Sequence, residues 1–317
     1  MLQHYIPNEG DAWSYTLDEL SRYFEAVLTH RERPAPEIPR KSLLELSRQE
    51  PPEEVADLIG PYLESARLLG QRTAELHLAF ASALDDPAFA AEPFTLYYQR
   101  SLYQGSRSLT AQVFQLLRSE LPRLRSDARR LAEDILSREE EVLRRFQAIT
   151  SRPIKAIRLR CHGDYHLGQV LYTGKDLVII DFEGEPARPL SERRIKRTAL
   201  RDVAGMIRSF HYAAHSALAG RATGEVVRPE DQQVLEPWAS AWQLWVGARF
   251  LGAYLEVARA LPFLPEEPDQ LQLLLNTLLL DKAVYELGYE LNNRPDWVSI
   301  PLAGIRYLLE TPLEENA

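Results

Sequence analysis

Two acids and an amide in one short stretch have the chemistry that phosphoryl transfer requires. Cys161-His162-Gly163-Asp164-Tyr165-His166-Leu167-Gly168-Gln169-Val170 is followed a few residues later by Ile179-Ile180-Asp181-Phe182-Glu183. Moving a phosphoryl group from a nucleotide asks little covalent chemistry of a protein, but it asks for accurate placement. One carboxylate must orient the acceptor hydroxyl and take its proton. Others must hold Mg²⁺ against the phosphates, and oxygen ligands suit that hard cation. Between the two stretches, Val170-Leu171-Tyr172, the turn Thr173-Gly174 and Leu177 to Ile180 read as a β-hairpin. This places Asp164 on a loop, Gln169 at the loop's end and Asp181 at the end of the second strand, where apolar Val178, Ile179 and Ile180 anchor it. A zinc reading of Cys161, His162, Asp164 and His166 fails on spacing. The four lie too close together on a loop to converge, and no second cluster completes a tetrahedral set.

The elements that must position this site are mostly helical. Thr16 is expected to cap a helix from Leu17 to about Leu28. Leu63, Leu69, Leu76, Phe80 and Leu84 recur at helical spacing from Pro61 to Leu84. Further helices are expected over 99–118, 121–149, 198–217, 232–260, 268–291 and 302–309. Residues 31–40 form a proline-rich loop, and Leu2 to Ile6 read as a short strand running into a turn at Pro7-Asn8. Ile154 to Arg160 alternates as a half-buried strand does. The fold class is therefore predominantly α, with one convincing β region at the hairpin.

Composition bounds the rest. The 317 residues are 45% hydrophobic and 26% charged, with net charge −9 and a pI near 5.4. That balance argues against a broad basic face for nucleic acid. One cysteine, Cys161, excludes an intrachain disulfide framework and suits a reducing cytoplasm. No apolar stretch approaches the ~20 residues that span a bilayer, and the first residues lack the basic start and apolar run of a signal peptide. The expected setting is cytoplasmic, without membrane or nucleic-acid partners.

His162, Asp164, Gln169 and Ile180-Asp181-Phe182 resemble the kinase-like phosphotransferases of small molecules, whose signature is H-x-D-x-x-x-x-N followed by I-D-[FW]. Gln169 stands in the Asn position, one methylene longer, with its amide oxygen still able to ligate a metal. HGDYHLGQVL is similar to the maltokinases, ATP-dependent enzymes that make maltose 1-phosphate beside, or fused to, trehalose synthase in α-glucan metabolism. LQHYIPNEGDAW, LGQRTAELHLA and DKAVYELGYELNNRPDW…IPLAGI extend the resemblance over nearly the whole chain.

The resemblance implies a protein-kinase-like C-terminal lobe over 9–317, with the catalytic loop and hairpin at 156–183. It implies ATP and Mg²⁺ as cofactors, Asp164 as catalytic base and Gln169 and Asp181 as metal ligands. Residues 1–8 would be a hinge whose backbone at Gln3 and Tyr5 meets adenine. The small lobe that precedes the hinge in the family is expected to be missing, since neither its phosphate-covering loop nor its lysine is found before Asp164. Weak or absent activity is accordingly expected of these 317 residues alone. Asp202, in Arg201-Asp202-Val203, would hold the catalytic loop by accepting backbone N–H bonds, and His162 would brace it.

Other residues carry two readings each. His166 either supports the loop or reaches substrate. Glu183 either touches metal, phosphate or sugar, or ends a solvated hairpin. Lys282, Tyr285, Glu286, Tyr289 and Glu290 share one helical face, which offers carboxylates and rings to a sugar or else holds a Lys–Glu pair beside buried tyrosines. Trp238, Trp242 and Trp245 share another face, better suited to the core than to sugar stacking. The basic run Arg188, Arg193, Arg194, Lys196, Arg197 is either a solvated face or an attractor of phosphates. Two further functions stay open: a kinase for an aminosugar or a choline-like alcohol, and a non-catalytic module that docks trehalose synthase.

Overall fold

A computed structural model of the protein describes residues 4–82, 86–186, 188–220, 227–259 and 263–311. Along the chain run α1 (Ala12–Thr29), α2 (Leu43–Leu46), α3 (Glu53–Ile59), α4 (Tyr62–Ser82), β1 (Glu92–Pro93), α5 (Leu96–Glu120), α6 (Ser126–Ser137), α7 (Glu139–Gln147), β2 (Ile157–Arg158), β3 (Val170–Tyr172), β4 (Leu177–Ile179), α8 (Leu190–Arg193), α9 (Leu200–Leu218), α10 (Gln232–Ala258), α11 (Pro268–Asn293) and α12 (Ser299–Glu310). The helical chain divides into two compact units, Met1–Ala91 with Leu159–Leu261, and Glu92–Arg158 with Pro262–Ala317. None of the helices among the described residues is long and apolar enough to cross a membrane.

In the first unit α4 lies along α10. The approach is closest at Gly70, where a Cβ would stand 2.2 Å from the carbonyl oxygen of Phe250. No side chain fits there. Gly70→Ala is therefore expected to cost about 1–3 kcal/mol through forced separation of the helices, read as a lower urea midpoint at unchanged slope. Helix α9 is buried nearly all round, with polar Asp202, Arg208, Ser209 and His211 enclosed alongside apolar Val203, Met206, Phe210 and Ala213. Trp238, Trp242 and Trp245 are buried. Trp242 meets Tyr62 at 5.1 Å and Phe210 at 6.4 Å between ring centroids, so it belongs to the core.

The second unit closes its own core around Phe114, Leu117, Ile135, Val142, Phe146, Leu287 and Ile305. Its one ladder pairs β1 with β2, Glu92 opposite Arg158. This is a second β pairing that the sequence pattern did not give, and it shortens the expected strand at 154–160 to two residues.

Several expected boundaries move. The cap of α1 is Asp11, whose carboxylate accepts the Ser14 N–H at 2.8 Å, rather than Thr16. Thr16 is buried inside the helix, with its hydroxyl donating to the Ala12 carbonyl. The helix expected over 121–149 is broken. Pro122 sits in a short 3₁₀ turn, Leu124 is extended, and Arg138 leaves the helical region between α6 and α7. His4 to Ile6 form no strand; the pairing falls instead at Glu9, whose N–H donates to the Tyr172 carbonyl at 2.8 Å. Gln3 and Leu84 lie outside the described residues.

Candidate active site

The hairpin β3–β4 sets the geometry. Its register pairs Val170 with Ile179 and Tyr172 with Leu177. Continued one step beyond, it makes the Ile180 N–H donate to the Gln169 carbonyl at 3.0 Å. Antiparallel pairing thus brings the end of the loop beside Asp181. There the Gln169 Nε2 donates to Asp181 Oδ2 at 3.0 Å. Asp181 adopts φ 61°, the only non-glycine residue with positive φ among those described. A side chain in that region stores local strain, and aspartate tolerates it better than most. The bend it makes turns the carboxylate out of the strand and into solvent.

Asp164 is placed by the opposite wall of the same turn. The His162 ring spans the gap, its Nε2 donating to the Ile180 carbonyl at 2.8 Å and its Nδ1 accepting the Asp164 N–H at 3.3 Å. A carbonyl can only accept and an amide N–H only donate, so these partners specify the neutral tautomer carrying hydrogen on Nε2. A Cβ on Gly163 would stand 3.5 Å from the Cα of Gly184. The Asp164 turn and the chain just after Asp181 are therefore neighbours.

Behind the loop sits a buried carboxylate. Asp202, 2% exposed, accepts the N–H of His162 at 2.7 Å and of Gly163 at 3.0 Å. It also accepts Nε2–H of buried His77 at 3.1 Å, while Nδ1 of that ring takes the Tyr254 hydroxyl at 3.0 Å. Burial by itself raises the Asp202 carboxyl. The hydrogen bond from His77, the electrostatic pull of the His77 and His162 rings and the Gly163 N–H outweigh it and hold the group below its ordinary value. Ionised, it is an acceptor with every partner a donor.

Three further supports complete the loop. Tyr165 is buried with its hydroxyl 2.8 Å from Thr73. The Thr73 hydroxyl already donates to Leu69 O, so Tyr165 is the donor, and burial pushes its phenol up. Ser209 accepts the Leu167 N–H at 3.1 Å. At Gly205, α9 comes so near that a Cβ would lie 2.6 Å from the Tyr165 carbonyl oxygen. His77, Thr73 and Ser209 were not singled out from the sequence. The one available signal was a polar pair, Thr73 and His77, at i and i+4 within an otherwise apolar helical stripe.

The hairpin is tied down at its far end too. Arg72 of α4 donates to both oxygens of Asp176, at 2.9 and 3.0 Å, and that hydrogen-bonding lowers the Asp176 carboxyl. On the outer edge Tyr172 stacks on Tyr15 at 4.0 Å.

The other sequence candidates fall as follows. His166 turns its Nδ1 back onto the Gly168 N–H at 3.1 Å, which braces the loop. Glu183 is exposed, and Tyr5 is 85% exposed. Of the basic run, Arg188 pairs with Glu185, Arg193 donates to the carbonyls of Arg188 and Pro186, and Lys196 is buried against the Pro87 carbonyl. Arg188 and Arg193 brace their own segment, and Lys196 ties it to the loop at Pro87. Cys161 is buried, and loss of solvent raises its thiol well above the ordinary value, which suits neither a nucleophile nor a metal ligand.

The helical face around Glu286 belongs to α11 in the second unit. Glu290 is 1% exposed, and both its oxygens receive Arg294 donors, at 2.6 and 2.9 Å. Its carboxylate is an internal ion-pair partner. Lys282 lies over the Tyr285 ring at 5.0 Å, and Tyr289 is exposed with Arg294 5.4 Å from its centroid.

Among the described residues no three His, Cys, Asp or Glu side chains converge on one point. Magnesium does not need such a cluster, because it is commonly held by one or two carboxylates together with waters and substrate phosphates. The Asp181 carboxylate and the Gln169 amide at 3.0 Å fit that lighter donor set, once the amide turns over to present its oxygen.

No protein-family model matches the chain. It is similar to a glucosamine kinase of Streptacidiphilus jiangxiensis, 25% identical over 315 residues that make up 98% of this chain and 58% of that protein. A glucosamine kinase of Mycolicibacterium smegmatis is 31% identical over 156 residues, 47% of this chain and 34% of that protein. Among solved structures, a glucosamine kinase in complex with glucosamine, ADP and inorganic phosphate superposes with a TM-score of 0.68 at 20% identity, covering 95% of this chain and 61% of that one. A crystal form without that description gives 0.67 and 60% of its chain. The chain therefore spans under two thirds of the length of the relatives it matches. Those relatives are sugar kinases, and the shared fold is mostly helical.

Proposed function

We propose that this chain carries the acid, amide and base of an ATP-dependent sugar kinase, as the large helical lobe of a kinase-like enzyme. The observation that supports it best is the 3.0 Å contact between Gln169 and Asp181, on a hairpin locked through His162 to the turn bearing Asp164. In this reading Asp164 orients the sugar hydroxyl and accepts its proton as the oxygen attacks the γ-phosphorus. The bond to the β-phosphate oxygen breaks, and ADP leaves. Gln169 and Asp181 hold Mg²⁺, which when bound offsets charge on the β- and γ-phosphates. Asp202 keeps the loop's N–H groups fixed, so little reorganisation is needed at reaction.

The acceptor is a hexosamine of the glucosamine type in the first reading, on the strength of a relative that matches almost the full chain. Maltose, giving maltose 1-phosphate, is the second. It is favoured by HGDYHLGQVL with Gln169 in the metal position, and it would carry with it an association with trehalose synthase. Parallel phosphorylation assays with glucosamine and maltose separate the two: a kcat/KM higher by ten-fold or more for one sugar, about 1.4 kcal/mol, assigns the acceptor. Turnover of another alcohol but of neither sugar, in a full-length context, sinks both.

Metal binding is tested separately. Asp181→Asn is expected to weaken Mn²⁺ binding in the presence of ADP about 10–100-fold, the scale on which changes to a metal's ligand environment act, as followed by electron paramagnetic resonance. Unchanged Mn²⁺ affinity removes Asp181 from the metal site.

A further inference from the structure

We propose that a cavity on the first unit, remote in sequence from the candidate active site and sharing no residue with it, binds a phosphate group, either free or carried as a phosphomonoester. The cavity holds about 200 Å³. Its walls are the turn after α2, Ser47 to Pro51, together with Arg67 of α4 and Trp245, Arg249, Gly252, Ala253 and Glu256 of α10.

Three arginines line it, in a protein whose net charge is −9. Arg249 is the centre. Its Nη1 donates to Glu50 at 3.1 Å, while its Nε is buried and has no hydrogen-bond partner. A buried donor left unsatisfied is costly, and native structures rarely keep one without reason. Nε and the neighbouring Nη form one edge of the guanidinium, the fork that matches two oxygens of a phosphate or carboxylate. Arg48 is exposed and has no ion-pair partner among the described residues. Arg67 spends its Nε on Glu64 at 2.6 Å, which leaves its terminal nitrogens.

Glu50 takes Nη1 of Arg249 and leaves Nε unpartnered. Its side chain is 79% exposed, and ion pairs so open to water are weak and readily exchanged. Glu256 is the other carboxylate lining the cavity. With Glu50 displaced and Glu64 still paired to Arg67, Arg48 and Arg249 face only Glu256, an excess of one positive charge with several N–H donors open, which the three or four oxygens of a phosphate satisfy better than the two of a monocarboxylate. Trp245 is the one large apolar side chain of an otherwise mostly polar lining, and it is buried. At Gly252 a Cβ would stand 2.6 Å from the Ser47 carbonyl oxygen. That contact seats the turn carrying Arg48 and Glu50 directly on α10, beside Arg249.

Calorimetric titration in metal-free buffer tests the site with two probes, inorganic phosphate and glucose 6-phosphate, against acetate as the monocarboxylate. The expected result is saturable phosphate binding that weakens at least ten-fold in Arg249→Gln. Arg48→Gln should weaken it by a smaller factor. Glu50→Gln should strengthen it about two- to five-fold, the size of an exposed ion pair removed from competition. Binding of both probes marks a general phosphate site, while binding of glucose 6-phosphate alone marks a phosphomonoester site. Equal affinity in wild type, Arg249→Gln and Arg48→Gln, acetate binding as tightly as phosphate, or no binding of either probe overturns the proposal. Retention of the wild-type circular dichroism spectrum separates loss of a site from loss of fold, and the gain expected from Glu50→Gln does not arise from misfolding.

Discussion

Asp164→Asn, in a full-length context, is expected to lower kcat by about 10²–10⁴-fold, the range for removing a positioned general base, with the sugar KM changed little. Asparagine is isosteric and keeps the backbone N–H that His162 accepts at 3.3 Å, so the loop should hold its shape. What disappears is the acceptor for the hydroxyl proton. A variant that lost sugar affinity and turnover in parallel would point to a binding role instead. One that kept near wild-type kcat would remove Asp164 from the chemistry altogether.

The second large effect is on stability. Asp202→Ala leaves the N–H groups of His162 and Gly163 and the buried His77 Nε2 without an acceptor. Removing one member of a buried charged network costs roughly 3–5 kcal/mol, a fall in melting temperature on the order of 10 °C. The cost has a pH signature. The Asp202 carboxyl is held below its ordinary value in the folded protein. Its contribution is therefore complete above the unfolded pKa of about 3.9 and drains away as pH falls through the lower folded value. Melting curves of wild type and variant should lie far apart at pH 7 and draw together below about pH 4. A gap that stayed constant down to pH 3 would mean that packing, and not the ionised carboxylate, is what the substitution removes.

The hairpin was legible because two apolar runs flank Thr173-Gly174, and a period of two admits few registers once one strand face is buried. Its pairing carries Gln169 alongside Asp181, so the two metal-site candidates were placed by local sequence alone. What braces them was less visible. Thr73 and Ser209 reach the loop, and His77 and Tyr254 reach its Asp202 support, from helices distant in sequence; helical spacing tells which residues share a face but not what that face meets. The left-handed backbone at Asp181 has no sequence signal either, since aspartate is common in ordinary conformations.

Boundary errors have equally local causes. Asp11 outcompeted Thr16 as the α1 cap because the Thr16 hydroxyl is already committed to the Ala12 carbonyl and to Tyr62, 2.6 Å away. The run 121–149 keeps an unbroken helical pattern, yet its apolar residues Ala128, Ala132 and Ile135 on α6 and Val142 and Phe146 on α7 fill one core from two separate helices. Tertiary packing overrode a pattern that fits a single helix. At Glu290 helical spacing puts a carboxylate on a promising face, but says nothing of its burial or its pairing with Arg294.

A crystal structure with Mg²⁺ and ADP bound is the most direct test of whether one loop and one hairpin act on a single metal–nucleotide complex. The expected map has the ion about 2.0–2.1 Å from an Asp181 oxygen, with the Gln169 amide turned over so that Oε1, not Nε2, faces it, and with the Asp164 carboxylate open towards the terminal phosphate. Magnesium coordinated elsewhere, with the Gln169–Asp181 hydrogen bond intact beneath it, would contradict the assignment.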